Sequence, residues 1–163
     1  MTRILAALAL MLAAALAVAG IATANTSHAG WPAIDGVLKM HKQDQSSAMR
    51  GTPRNDELLG GHGSDTIWGS TGHDVLWGDY KPSGQNTWQL DRLNGGAGND
   101  FIYASHGRNA IRAGAGNDTV HAHFGRGLID CGSGTDIAFV SHKGRKGYAI
   151  RNCERISYKT LGY

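Results

Sequence analysis

Asp56, Asp74, Asp100, Asp118 and Asp136 recur every eighteen residues, once eight extra residues between Asp74 and Asp100 are discounted. Asp65 and Asp91 fall in the same phase midway between members of that series. Carboxylates gathered on a fixed period are oxygen donors for a hard cation, and without one they repel each other. Midway between Asp100 and Asp118, however, stands Asn109, and midway between Asp118 and Asp136 stands Gly127. The acids therefore divide into an unbroken odd set and an even set that loses its charge.

A nine-residue period positions these side chains. Reading from Gly51, the blocks GTPRNDELL, GGHGSDTIW and GSTGHDVLW lead to a fourth that carries the extra residues and ends on Asp91-Arg92-Leu93-Asn94. GGAGNDFIY, ASHGRNAIR, AGAGNDTVH, AHFGRGLID and CGSGTDIAF follow in register. Glycine favours the first, second and fourth positions, which suits a tight turn with close backbone approach. The last three positions read as a short strand whose middle residue is aliphatic: Leu58, Ile67, Leu76, Leu93, Ile102, Ile111, Val120 and Ile129, with Ala138 closing the series. Glycine at this density excludes helix, and alternation along such strands sends one residue of each three inward and two outward.

Gly60 to Trp68 and Gly95 to Tyr103 both match GGxGxDxUx, so residues 51–139 resemble the repeats of the RTX, or haemolysin-type, calcium-binding proteins. The resemblance implies an all-β chain, a parallel β-roll or solenoid of about nine nonapeptides with two to a turn. It also implies calcium ions between stacked turns, held by aspartate carboxylates and carbonyls of the glycine loops. Odd-numbered loops would then line one edge and even-numbered loops the other. Asp56, Asp74, Asp100, Asp118 and Asp136 make the odd edge a carboxylate ladder with up to four calcium sites. Calcium suits it better than magnesium, which demands strict octahedral geometry. On the even edge only Asp65 and Asp91 offer carboxylates, because Asn109 and Gly127 follow Arg108 and Arg126, with His106 and His123 close by.

The flanking segments carry their own signals. Thr2-Arg3, the Ala/Leu-rich run from Ile4 and the small-x-small Ala22-Thr23-Ala24 read as a signal peptide over residues 1–24. This predicts a secreted, extracellular protein with no stable transmembrane span after cleavage. Residues 25–50 form an N-terminal segment or cap, residues 51–139 the roll with its insertion at about 79–89, and residues 140–163 a basic C-terminal cap. Cys131 and Cys153, in an oxidising compartment, are expected to form a disulfide that ties this cap to the last clear repeat. The outward odd positions, including Trp77, Phe101, Tyr103 and Phe139, make an apolar face that needs covering. A short helical face within Trp31–Met49 or the tail with Tyr148, Ile150 and Ile156 is the expected cover. An N-terminal signal and a basic pI of about 9.0 depart from the RTX pattern, whose members commonly leave the cell by a C-terminal signal.

Catalysis finds no support: GxSxG, HExxH and P-loop motifs are missing, and His121 and His123 read as surface histidines. The expectation is a non-enzymatic, secreted calcium-binding β-roll, folded or stabilised by extracellular calcium. The alternative is an interaction or assembly scaffold that meets cell envelope, polysaccharide or a second copy through its apolar or basic face. Nucleic acid is not an expected partner.

Overall fold

The computed structural model describes residues 30–40, 45–80 and 88–159. The signal-peptide expectation and most of the insertion lie outside the described residues.

Short strands alternate between two parallel sheets. One sheet holds β1 (Leu38–Met40), β3 (Glu57–Leu59), β5 (Val75–Trp77), β7 (Phe101–Tyr103), β9 (Thr119–Ala122), β11 (Ile137–Val140) and β13 (Arg155–Ser157), in that order. The other holds β2 (Ala48–Arg50), β4 (Thr66–Thr71), β6 (Leu90–Ala97), β8 (Arg108–Ala115), β10 (Arg126–Ser133) and β12 (Tyr148–Arg151). Every pairing is parallel, and each strand neighbours the strand two before it and two after it, so the chain winds as a β-roll with two nonapeptides to the turn. One short helix, α1 (His142–Gly147), joins β11 to β12. Ser141 caps it, accepting the Gly144 N–H at 2.9 Å.

The aliphatic ladder lies where the period places it. Leu58, Leu76, Ile102, Val120 and Ala138 pair rung by rung in one sheet, and Ile67, Leu93, Ile111 and Ile129 in the other. All nine are at most 1 % exposed. Because each rung repeats the shape of the one below, the core is a filled seam between the sheets, and the single tolerable residue type per rung explains the strict spacing.

The ends differ from expectation. Trp31–Met49 contributes no helical face among its described residues; it supplies β1 and β2, one strand for each sheet, which extend the roll by a turn. Tyr148–Ser157 does the same at the other end through β12 and β13. Backbone hydrogen bonding explains this, because an open sheet edge presents unpaired N–H and C=O groups that another strand satisfies and a helix does not. Trp31 does cover the odd sheet: its ring meets Trp77 and Tyr103 at 6.2 and 5.9 Å, and its Nε1 donates to the Tyr103 hydroxyl at 2.7 Å. Beneath it, Trp77, Tyr103, His121 and Phe139 stack in successive turns at 4.0, 4.7 and 5.0 Å. His121 is thus not a surface histidine but a buried rung of an aromatic column, and burial pushes its pKa down to about 4. Leu59 and Val75, also outward by alternation, are buried as well.

Cys131, at the first position of the ninth repeat, is bonded to Cys153 with a Cα–Cα distance of 5.1 Å. Their separation of 22 residues closes a loop around the last turn, where a solenoid is otherwise free to fray. Replacing both cysteines by serine is expected to lower unfolding stability by about 3 kcal/mol, read as a lower urea midpoint at unchanged calcium. An unchanged midpoint would show that β12 and β13 hold the end of the roll without the bond.

Candidate metal-binding edge

The loops leading into the seven-stranded sheet carry the odd acids. Each acid ends its loop just before a strand, so its main chain is fixed by the ladder and its side chain points back under the loop. Asp56 N–H donates to Asp74 Oδ1 at 2.8 Å, Asp74 N–H to Asp100 Oδ1 at 2.8 Å, Asp100 N–H to Asp118 Oδ1 at 2.9 Å and Asp118 N–H to Asp136 Oδ1 at 2.7 Å. The column runs on at both ends, from Val37 N–H to Asp56 Oδ1 and from Asp136 N–H to Glu154 Oε2. Glu154 was legible in the sequence, eighteen residues past Asp136, but the nonapeptide signature has faded around it.

A second column runs beside the first with opposite polarity. His73 N–H donates to Asn55 Oδ1, Asn99 N–H to His73 Nδ1, Asn117 N–H to Asn99 Oδ1 and Thr135 N–H to Asn117 Oδ1, at 2.7 to 2.9 Å. The residue before each acid therefore accepts from the turn above, while the acid accepts from the turn below. Together they fix the loops in register without using the second carboxylate oxygen.

That second oxygen is the chemically open atom. Oδ2 of Asp74, Asp100, Asp118 and Asp136 is buried and takes no hydrogen bond. Burial, with the neighbouring acids adding repulsion, pushes Asp74 up to about 7, Asp100 to about 8 and Asp118 to about 6, and raises Asp136 as well. The glycines show what the space holds. A Cβ on Gly95 would fall 2.3 Å from Asp100 Oδ2 and 2.5 Å from the Ala113 carbonyl oxygen; one on Gly69 would meet Asp74 Oδ2 at 2.3 Å and Gly95 O at 2.4 Å. Carboxylate and main-chain oxygens thus converge where the first-position residue has no side chain. Gly98 and Gly116 adopt φ of +132° and +130°, and a Cβ on either would strike the carbonyl of the equivalent glycine one turn before. Such an oxygen-lined cradle fits calcium, whose ligands are carboxylates and carbonyls. Among the described residues no three His, Cys, Asp or Glu side chains converge into a metal cluster, so main-chain oxygens would have to complete any site.

Asp56 stands apart from its series. Its Oδ2 accepts the Thr52 N–H at 2.5 Å and its carboxylate also meets the Thr52 hydroxyl, so no oxygen is left open.

The even edge is divided. Ser47 N–H donates to Asp65 Oδ1 and Asp65 N–H to Asp91 Oδ1, and both acids bury an unpartnered Oδ2, with Asp91 raised to about 7 by burial. Asn109 ends the column. Its carboxamide turns into its own loop, accepting from Ser105 N–H and Oγ–H and donating to Ser105 O and to the Tyr148 hydroxyl at 2.9 Å. Tyr148 pairs in register with Gly127, which has φ of +137° and where a Cβ would strike the Asn109 carbonyl oxygen at 2.0 Å; the Tyr148 hydroxyl donates to Phe124 O at 2.8 Å. Every polar atom in this plug has a neutral partner. Tyr148 is therefore not part of a cover over the odd face, as expected from the tail, but a buried residue of the even sheet; α1 breaks the nine-residue count that would have placed it there.

No curated protein and no solved structure matches the chain significantly. Residues 50–79 and 88–126 match the family model of the RTX calcium-binding nonapeptide repeat in four copies, so this stretch of the roll is built of RTX, or haemolysin-type, repeats.

Proposed function

We propose that this chain is an extracellular calcium-binding β-roll whose odd edge is completed by the metal. The observation that carries this reading is the row of buried, unpartnered Oδ2 atoms on Asp74, Asp100, Asp118 and Asp136. Those four would hold the ions together with main-chain oxygens of the glycine loops, and Asp65 with Asp91 would provide one further place on the even edge. Asp56, satisfied by Thr52, serves as the column's polar terminus, and the Asn109–Tyr148 plug replaces metal with neutral hydrogen bonds. The bound ion supplies positive charge that lets neighbouring buried carboxylates ionise together. The disulfide and the apolar N-terminal run with its small-x-small end support secretion, and extracellular calcium would suffice for sites with Kd on the order of 10⁻⁴ to 10⁻³ M. No catalytic role is proposed.

Calorimetric titration tests the assignment. Asp100→Ala with Asp118→Ala is expected to reduce the number of calcium ions bound, whereas Asp56→Ala leaves it unchanged. An undiminished count in the double variant would sink the odd-edge reading.

A pH series tests the electrostatics. Asp74, Asp91, Asp100 and Asp118 have folded pKa values of about 6 to 8, above the ordinary 3.8. Their contribution is complete below pH of about 4 and is lost as pH rises through 6 to 8. His121, lowered from 6.5 to about 4, acts in the opposite sense, but only below pH of about 6.5. In chelator the thermal midpoint should therefore fall between pH 6.5 and 8.5, and saturating calcium should flatten that fall. A metal-free midpoint that rises across this window would contradict the buried-carboxylate account.

A further inference from the structure

The even edge beyond Asp91 carries charge of the opposite sign. Arg108 and Arg126 begin β8 and β10 and are register partners in adjacent strands. Their main chains are fixed by donation to Gln89 O and Gly107 O, and both side chains are exposed. Two residues before each stands a ring: His106 and Phe124 stack at 4.5 Å with 19° between planes, and Phe124 is 57 % exposed. The next rung of the same edge is α1. Its Gly144 lies against Ala122 and His123, and its Gly147 against Gly125 and Arg126. Through it Lys143, Arg145 and Lys146 join the row, all exposed. Among the described residues no carboxylate pairs with any of these five cations. Asp130 is the acid beside them on the sheet, where it sits between Arg112 and Arg151 and accepts from Asn152.

We propose that this edge, from Arg108 and Arg126 to Lys143, Arg145 and Lys146, binds a linear acidic polysaccharide. Rungs of a parallel sheet lie about 4.8 Å apart, close to the length of one pyranose residue in an extended chain, so a row of cations along the rungs runs parallel to a chain whose carboxylates recur on the same scale. Guanidinium groups take carboxylates in bidentate fashion, and the exposed Phe124 ring offers an apolar face to the sugar's C–H groups. The arrangement mirrors the odd edge: there a stack of anions calls for a cation, and here a stack of cations calls for an anion. The surface uses none of the residues assigned to calcium.

The test is binding of the full chain to an oligogalacturonate too short to gel with calcium, with dextran, duplex DNA and phosphatidylserine vesicles as comparisons. Arg108→Ala with Arg126→Ala is expected to weaken oligogalacturonate binding about tenfold or more. Arg54→Ala with Arg155→Ala, which removes the same charge elsewhere, should leave it unchanged, and dextran should not bind. Circular dichroism of each variant checks that the roll persists. Equal losses in the two double variants, or no loss in the first, would overturn the surface. Tighter binding to DNA or vesicles than to oligogalacturonate would overturn the ligand class.

Discussion

The backbone N–H of one turn reaching the carboxylate of the next is the interaction on which the rest of this molecule depends. It sets the rung spacing at the loops as the strand ladders set it between the sheets, and it requires the acid to be buried beneath its loop. Once Oδ1 is committed to the neighbouring main chain, Oδ2 has nowhere to turn but inward, toward the glycine carbonyls. A hydrogen bond that orders the loops thus also creates an unsatisfied, desolvated carboxylate oxygen, which is costly unless it is protonated or meets a cation. Order and metal affinity come from the same side chain.

The two opposed columns make this arrangement stiff. A single column would let a loop tilt about its acid. With Asn55, His73, Asn99 and Asn117 accepting from above and the aspartates accepting from below, each loop is held from both neighbours. Asn55, Asn99 and Asn117 and the acids that follow them are therefore structural pairs, and the Asn-Asp dipeptide in three of the repeats is explained by main-chain satisfaction before any ion is considered.

Much of this was legible in the sequence. The nine-residue period placed Leu58 to Ala138 in the core and sorted the acids into two edges, because solenoid packing admits one residue type per rung and the same chemistry recurs at every turn. What the sequence hid depends on the absence of repetition. β1, β2, β12 and β13 lack the glycine signature, since end turns have a neighbour on one side only and are not held to the close approach that glycine serves. His121 looked exposed because alternation points it outward; Trp31, ninety residues earlier in the chain, contributes to the layer that buries its column. Asp56 shares its position with the other acids, and only Thr52, at a site where three of the five odd-edge repeats carry glycine, shows that its oxygens are already used.

The even edge shows how such a roll can stop binding metal without ceasing to be a roll. Losing one carboxylate would leave a gap among buried polar groups, and removing several in succession would leave a channel. Here Asn109 keeps the size and the hydrogen-bonding capacity of the acid while shedding its charge, and Gly127 sheds the side chain altogether. Tyr148, supplied by the strand that closes the sheet, then fills both the gap and the hydrogen bonds. Because the phenol comes from the last turn, the plug also fastens that turn to the roll, as the disulfide does from the odd side. The terminal strands β12 and β13 are thus fixed by two contacts that owe nothing to calcium, and ordering of the aspartate column can proceed from an end that is already closed.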